Sequence, residues 1–561
     1  MDNGLYFADY AVITGFFAVM VGIGIYFQGR VKNMGDFFGG GKQVPWWLAG
    51  ISFYMCSFSA LGFVVYSALA YQYGFVAVTI YWLTVPAMLI GAKFMASRWR
   101  RIAQTSPLEY IESRYGNKMR QGLVWVGIPT RILDDALKLL AIGTVVAAGM
   151  GFPLAPAIIV SGLIMISYTF MGGLWAALVA DFIQFVVLLA AVLVLPFLTL
   201  KRAGGFQGFI EAAPEGFFSL INTKYTWGYL LVFFFIILLN YTTSWALVQR
   251  YYSTSSDKNA RKVGYLVAIL NFVGPPIFYI PAMTARVFLP EIENSNEVYA
   301  IVCKSVLPVG MIGMVIAAMF SATMSMLAGD FNAIASVLTN DIYKRMVSKE
   351  ASARKLMLFA RVNTLIVGLV VIGITIMIRK IQGSDDLFRV MVKIFGLFLP
   401  PVAIPMLVGM FSRRISNFGG LLGFSAGIIT GLTAFAIGGW YPYLREEQVI
   451  TSITSLTTVA GLIAGTFLKP DSAQRSEEVD RFVSNAASKT DVATVTEKND
   501  SVKALFPIIS IGTFAIGLVL AVSVLFTNIS EGKLSIAVGA AMMAVGCVFL
   551  LIAKKTKSHN T

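Results

Sequence analysis

Apolar runs long enough to cross a bilayer recur along almost the whole chain, separated by short polar connections. They fall at about residues 7–28, 45–73, 75–98, 121–150, 154–175, 177–200, 228–249, 262–285, 308–338, 357–379, 387–411, 418–438, 449–468, 504–526 and 534–553, which predicts about fifteen membrane helices. The first run has no basic lead and no small-residue cleavage site, so it is expected to be a retained helix. The longest polar interval ahead of the tail, 470–503, is rich in Ser, Asp, Glu, Lys and Arg and reads as a flexible cytoplasmic linker to a final helical pair at 504–561.

Two of the runs are interrupted at their middles. Met55-Cys56-Ser57-Phe58-Ser59-Ala60-Leu61-Gly62 puts small polar residues and a glycine at mid-membrane depth, and Asn240-Tyr241-Thr242-Thr243-Ser244 does the same between Leu239 and Trp245. Irregular backbone survives in a bilayer only where it lines a cavity or is covered by protein. The interruptions head two five-helix blocks, 45–200 and 228–411, and paired interruptions at matching positions point to an inverted-repeat carrier with its site at the midplane. The bland reading is that Ser and Thr back-bond inside unbroken helices and serve as small packing residues.

Composition removes most other classes. Of 561 residues, 57% are hydrophobic and only 13% charged, too few charges to cover a water-soluble molecule of this size. The formal charge of +15 would suggest nucleic acid in a soluble protein. Here the basic residues belong instead to the connections: Arg98, Arg100 and Arg101; Arg250, Lys258, Arg261 and Lys262; Lys344, Arg345, Arg354 and Lys355; Arg413 and Arg414; then Lys554, Lys555 and Lys557. The positive-inside rule then places the N-terminus outside and the C-terminus in the cytoplasm, with Lys201, Arg202, Arg379 and Lys380 as exceptions. Three cysteines (Cys56, Cys303, Cys547) and one histidine, His559, make no disulfide framework and no transition-metal site. No base stands beside a nucleophile and no phosphate-cradling loop occurs, so no enzyme is expected.

Charges inside spans are costly and invite a partner or a function. Asp181 and Asp330 stand in apolar surroundings, and Arg131, Asp134, Asp135 and Lys138 share one run at spacings that allow Arg131–Asp134, Arg131–Asp135 and Asp134–Lys138 pairs. Lys393 is expected to snorkel. Pro275, Pro276 and Pro281, and Pro400, Pro401 and Pro405, also lie within spans.

Several motifs, in order, carry a family resemblance over roughly 7–468: Gly172-Gly173-Leu174-Trp175 with Asp181 and Gln184; Gln249-Arg250; Ala322-Thr323-Met324-Ser325 with Asn332; and the run Pro401 to Phe411 ahead of Arg413-Arg414. The chain resembles the sodium:solute symporters, the group of bacterial proline, galactose and sialic acid transporters. The resemblance implies an all-α LeuT-like fold, with a peripheral N-terminal helix and loop (1–44), two inverted five-helix repeats, two accessory helices (412–469) and further helices after them. It implies a Na+ site made by the carbonyls of Met55, Phe58 and Ala322 and the hydroxyl of Ser325, with Asp181 nearby. The next position, normally a second hydroxyl, is Met326, whose thioether is a poor ligand for a hard cation. Ala328 and Gly329 stand where a second Na+ site would need hydroxyls, so none is expected.

The solute is expected beside the two breaks, on Ser57, Ser59, Asn240 and Thr243, with Asp134 and Asp135 from the fourth run. Members that take acidic sugars carry an Arg on this run, close to where Asp134 stands. A carboxylate there repels anions and accepts hydrogen bonds, which favours a neutral sugar or polyol; Arg131 and Lys138 reverse this if they face the cavity instead. The function expected is import of a small polar solute by alternating access in a monomer, coupled to a single Na+ whose site Met326 weakens. The alternatives are a proton-coupled carrier using Asp330 or Asp181, or an uncoupled one, for an amino or carboxylate solute, and, more distantly, a transporter-like membrane sensor.

Overall fold

The computed structural model describes residues 5–28, 42–102, 107–169, 174–348, 350, 352–382, 387–488, 505–525 and 529–558. Every regular element among them is helical, apart from one isolated bridge between Val44 and Thr254. In chain order the helices are α1 (Phe7–Gln28), α2 (Trp46–Ser57), α3 (Ala60–Tyr73), α4 (Val76–Ile102), α5 (Pro107–Tyr115), α6 (Asn117–Met150) and α7 (Leu154–Thr169). They continue with α8 (Leu174–Arg202), α9 (Gly205–Ala212), α10 (Trp227–Thr243), α11 (Trp245–Tyr252), α12 (Asp257–Phe288), α13 (Val298–Val306) and α14 (Met311–Val337). The last are α15 (Ala353–Gln382), α16 (Leu387–Phe411), α17 (Asn417–Ile437), α18 (Glu447–Leu468), α19 (Ala473–Ala487), α20 (Leu505–Leu525) and α21 (Ile529–Ser558).

Among the described residues eleven helices are long and apolar enough to cross a membrane, and three pairs are bent at a short break: α2/α3 by 61°, α6/α7 by 119° and α10/α11 by 51°. The first and third bends fall at the two interruptions read in the sequence. The α6/α7 bend folds the chain back on itself through Gly151, which has φ +71°. With each bent pair taken as one crossing, the described residues hold up to fourteen, against about fifteen expected.

The interior is built by the helices that surround the breaks. α2 packs on α12, α8 and α14, α3 packs on α12 and α14, and α6 packs on α14 and α15. Prolines inside α16 leave carbonyls without a helical donor, and the neighbours supply them. Pro400 has no N–H for the carbonyl of Gly396, and Thr454 Oγ1 donates to it at 2.8 Å. α17 and α18 pack tightly because Gly419, Gly423 and Gly427 on α17 meet Thr466, Leu462 and Thr458 on α18; a Cβ on Gly427 would lie 2.1 Å from Thr458 Oγ1.

Two expectations need correction. The interval 470–503 is not one flexible linker: α19 occupies Ala473–Ala487, with Val479, Val483 and Ala486 buried and Phe482 stacked on Tyr110. Its apolar residues recur at helical spacing, a signal outweighed by the polar composition around it. Residues 489–504 lie outside the described residues, as do 29–41, Gly172, Gly173 and His559. Arg250, read as a loop charge, is buried in the interior. Two of the basic connections meet: Arg100 and Arg101 both pair with Asp257, and Arg413 and Arg101 reach Ser484 and the carbonyl of Ala486 on α19.

Candidate functional site: two helix breaks, a cavity and a buried charge cluster

At the first break Phe58 and Ser59 are extended, with φ/ψ of −124°/126° and −135°/171°. Small hydroxyl residues offer the backbone alternative partners and so weaken a helix locally. Ser57 Oγ donates back to the carbonyl of Tyr54 at 2.8 Å, and the N–H of Ala60, freed by the break, donates to Thr323 Oγ1 on α14 at 2.9 Å. The carbonyl of Phe58 receives no hydrogen bond from the described residues. At the second break Ser244 is extended, and Thr242 and Thr243 both donate to carbonyls of the preceding turn. Trp99 Nε1 holds the carbonyl of Thr242 at 2.8 Å.

A cavity of about 110 Å³ lies between the breaks. Ser57, Asn240, Thr243 and Ser244 line it from the broken helices, Thr130, Arg131 and Asp134 from α6, Met326 and Asp330 from α14, and Phe395 and Phe398 from α16. Of the residues expected around the solute, Ser57, Asn240, Thr243 and Asp134 therefore reach the cavity. Ser59 does not: it is buried, and its carbonyl accepts from Gly62 and Phe63 as the first turn of α3. Asp135 lies wholly buried behind the wall.

Five charges cluster here, with Arg131, Asp134 and Asp330 on the wall and Asp135 and Lys138 buried. Lys138 Nζ is 2.7 Å from Asp134 Oδ2, 3.0 Å from Asp135 Oδ1 and 3.1 Å from Asp330 Oδ2. Arg131 pairs with Asp330 and lies 4.4 Å from the ring centre of Trp245, the first residue after the second break. Only Asp134–Lys138 survives from the pairs that spacing along α6 suggested. Arg131 turns to α14 instead, because a tertiary partner with its own uncompensated charge competes with neighbours on one helix. One oxygen each of Asp134 and Asp135 is buried without a hydrogen-bond partner.

A second buried network joins the first break to α8, α11 and α14, at the level of the expected Na+ ligands. Ser52 donates to Asp181, Arg250 Nη2 lies 3.7 Å from the same carboxylate oxygen, and Arg250 Nε donates to Ser52 Oγ at 3.1 Å. Arg250 Nη2 also reaches Cys56 Sγ at 2.9 Å, and Cys56 Sγ is 3.1 Å from Ser325 Oγ. Asp181 Oδ1 is buried and unpartnered. Met55, Phe58, Ala322 and Ser325 are all buried, Ser325 meets this network through Cys56, and Met326 lines the cavity. Sequence reasoning did not place Ser52, Cys56 or Arg250 here. Arg250 was visible in the Gln249-Arg250 motif, but nothing local to it names Asp181 as its partner.

The profile of the sodium:solute symporter family matches residues 37–427, which spans both breaks, the cavity and both charge networks. The chain belongs to the sodium:solute symporter family. It is a membrane carrier that couples a small solute to Na+, not an enzyme. Relatives in the family include a sodium/sialic acid symporter of Proteus mirabilis, 26% identical over 76% of this chain and 89% of that protein. A sodium/glucose cotransporter of Vibrio parahaemolyticus is 24% identical over 82% of this chain and 92% of that protein. A solved structure of a Na+-coupled sialic acid symporter, in a substrate-bound outward-open state, aligns with TM-score 0.72 at 24% identity, covering 83% of this chain and 98% of that one. The LeuT-like fold expected from the resemblance is therefore the fold of this family member.

Proposed function

We propose that this symporter imports a neutral, polyhydroxylated solute, a sugar or polyol, through the cavity between the two breaks. The observation that supports this class is the balance of charge on the cavity wall. Arg131 is matched by Asp330 and stacked on Trp245, so its cation is committed within the protein. Asp134 brings a partly exposed carboxylate to the same wall. A wall of hydroxyls, an amide and a carboxylate acceptor suits a solute that brings O–H donors. Ser57, Asn240 and Thr243 supply the remaining polar contacts, and Phe395 and Phe398 supply apolar faces.

The coupling ion in this reading sits on the carbonyls of Met55, Phe58 and Ala322 and on Ser325 Oγ, with Asp181 Oδ1 making good part of the oxygen lost to Met326. Arg250 does not repel it as a bare cation would, because Asp181 balances its charge. Asp330 is a poor rival as a proton carrier: Arg131 and Lys138 hold its two oxygens. Inward movement of one Na+ down 100 mV supplies roughly 2.3 kcal/mol, a concentration ratio of about 50 before the chemical gradient is counted. The carrier is placed in the bacterial inner membrane as a monomer, N-terminus outside and C-terminus inside.

A second reading is favoured by one observation. Arg131 lines the cavity, and two of the relatives are named as sialic acid symporters. An acidic sugar would then draw Arg131 away from Asp330. A thermal-shift screen of sugars, polyols, amino acids and sugar acids on the purified protein, in NaCl and in choline chloride, separates the two, since ligands stabilise the state they bind. Stabilisation by a neutral polyol or sugar in NaCl supports the first reading. Stabilisation by sugar acids alone replaces it with the second, and equal shifts in choline refute Na+ coupling at this site.

A further inference from the structure

In an unbroken helix the carbonyl of Thr242 would accept from the N–H of Ala246. The break at Ser244 takes that donor away, and no other backbone N–H among the described residues replaces it. Trp99 makes the missing bond through Nε1 at 2.8 Å, from a side chain that is wholly buried. It stands on α4 beyond a π-helical turn, Gly91–Met95, which lies against the same break: a Cβ on Gly91 would be 3.5 Å from Thr242 Cγ2. A π turn adds one residue and so rotates the rest of the helix by about 100°, and such turns recur at functional sites. Beyond this one, Trp99 faces the break while Arg100 and Arg101 face Asp257.

Trp99 is backed in turn from the cytoplasmic side. Its ring meets that of Tyr110 on α5 edge to face, with centres 5.6 Å apart. Tyr110 donates its hydroxyl to the carbonyl of Met406 on α16, and Phe482 of α19 stacks on its ring, 5.6 Å between centres and 19° between planes. Arg101 at the carbonyl of Ala486, and Arg413 at Ser484 and Asp480, hold α19 over this contact. Three rings therefore run from a helix outside the spans to the main chain of the second break.

We propose that Trp99 is a positioning residue of the solute site and that α19 holds it in place, so that the cytoplasmic helix sets the geometry of the second break. Thr242 is buried beside the cavity, and its neighbours Thr243 and Ser244 line it. Any turn of the Thr242–Thr243 peptide carries those two side chains with it. A carbonyl at this depth finds no water in place of a lost donor, so the indole N–H fixes which way the peptide points. The inference rests on the reading that the solute occupies the cavity between the breaks, and is independent of the solute's class.

The test reads the second break without a solute. Ser244→Cys puts a thiol on the cavity wall of the full chain in proteoliposomes. Its rate of labelling by methanethiosulfonate ethylammonium is measured over the background of Cys56, Cys303 and Cys547. The rate is then compared in Trp99→Phe, which keeps a ring against Tyr110 and removes the N–H, in Phe482→Leu, and in both together. Trp99→Phe is expected to raise the rate about fivefold, the worth of one hydrogen bond. Phe482→Leu should raise it too, and the pair no further than Trp99→Phe alone, because both act on one contact. The Na+ concentration for half-maximal thermal stabilisation should stay as in the parent, which a general loosening of the fold would not allow. An unchanged rate in Trp99→Phe overturns the positioning role. An unchanged rate in Phe482→Leu, or effects that multiply in the double variant, overturns the part given to α19, and a Na+ requirement that shifts along with the labelling overturns both. Phe482→Leu lies outside the spans and carries the test if Trp99→Phe does not fold. A thiol at position 244 that is inert in every variant refutes the cavity and this inference together; a reactive thiol that ignores Trp99 and Phe482 refutes this inference alone.

Discussion

Removing the cation at the centre of the buried cluster should damage the protein far more than removing one of the anions around it. Asp134, Asp135 and Asp330 face Lys138 and Arg131, three carboxyl groups against two cations. Lys138→Met leaves three carboxylates and one cation. With oxygens within 4.8 Å, each carboxylate pair repels by roughly 3–4 kcal/mol at an effective dielectric of about 20. Three such pairs approach the whole stability of a typical domain, about 5–15 kcal/mol. Proton uptake caps the loss, and the observed cost should match that of stripping one partner from a buried pair, about 3–5 kcal/mol. Asp134→Asn, in contrast, leaves two cations and two carboxylates, its amide oxygen still accepts from Lys138, and Arg131 keeps Asp330. Its cost should be near that of weakening one hydrogen bond, about 1–2 kcal/mol. Thermal denaturation of the two variants in detergent and choline chloride, followed by tryptophan fluorescence, gives the order directly. The account requires Lys138→Met to melt well below Asp134→Asn. Equal melting temperatures, or a lower one for Asp134→Asn, would refute the charge accounting.

Other outcomes follow from the same geometry. Met326→Ser restores a hydroxyl beside Ser325 and should tighten Na+ binding about tenfold, roughly 1.4 kcal/mol, read as the Na+ concentration for half-maximal thermal stabilisation. Ser325→Ala should weaken Na+ binding by at least a similar factor in that titration, without altering expression. Trp245→Leu removes the ring under Arg131, a contact of about 0.5–2 kcal/mol; it should raise the half-saturating solute concentration in proteoliposome uptake while leaving Na+ affinity within twofold. Asp134→Asn keeps a hydrogen-bonding side chain and removes its charge, so it should admit sugar acids that the wild type excludes, measured as competition for uptake of the solute found by screening.

The sequence announced the spans and the two breaks because both leave local marks. Apolar length marks a crossing, and clustered Ser, Thr and Asn mark a place where a helix yields, as at Ser57–Ser59 and Thr242–Ser244. Helix α19 was hidden because Val479, Val483 and Ala486 are few among polar neighbours, and only Tyr110 and the basic connections reveal what they cover. The charge networks were hidden for a different reason. Spacing along α6 proposes Arg131–Asp134, but Asp330, 199 residues away, is the stronger partner. Arg250 and Asp181 are likewise joined by tertiary packing and by the hydroxyl of Ser52, with no trace in either neighbourhood. The family motifs pointed to Asp181, Arg250 and Ser325 one by one, yet not to Cys56, nor to the contacts that link them.

The central claim, that solute and Na+ meet where the two broken helices face one another, is tested most directly by uptake into proteoliposomes. The solute identified by thermal shift is supplied outside, with an inward Na+ gradient imposed or replaced by choline, for the wild type and for Asn240→Leu and Ser325→Ala. The account predicts concentrative uptake only with the Na+ gradient, solute affinity lost in Asn240→Leu with Na+ binding retained, and Na+ affinity lost in Ser325→Ala. Equal uptake in choline, or wild-type solute affinity in Asn240→Leu, would contradict it.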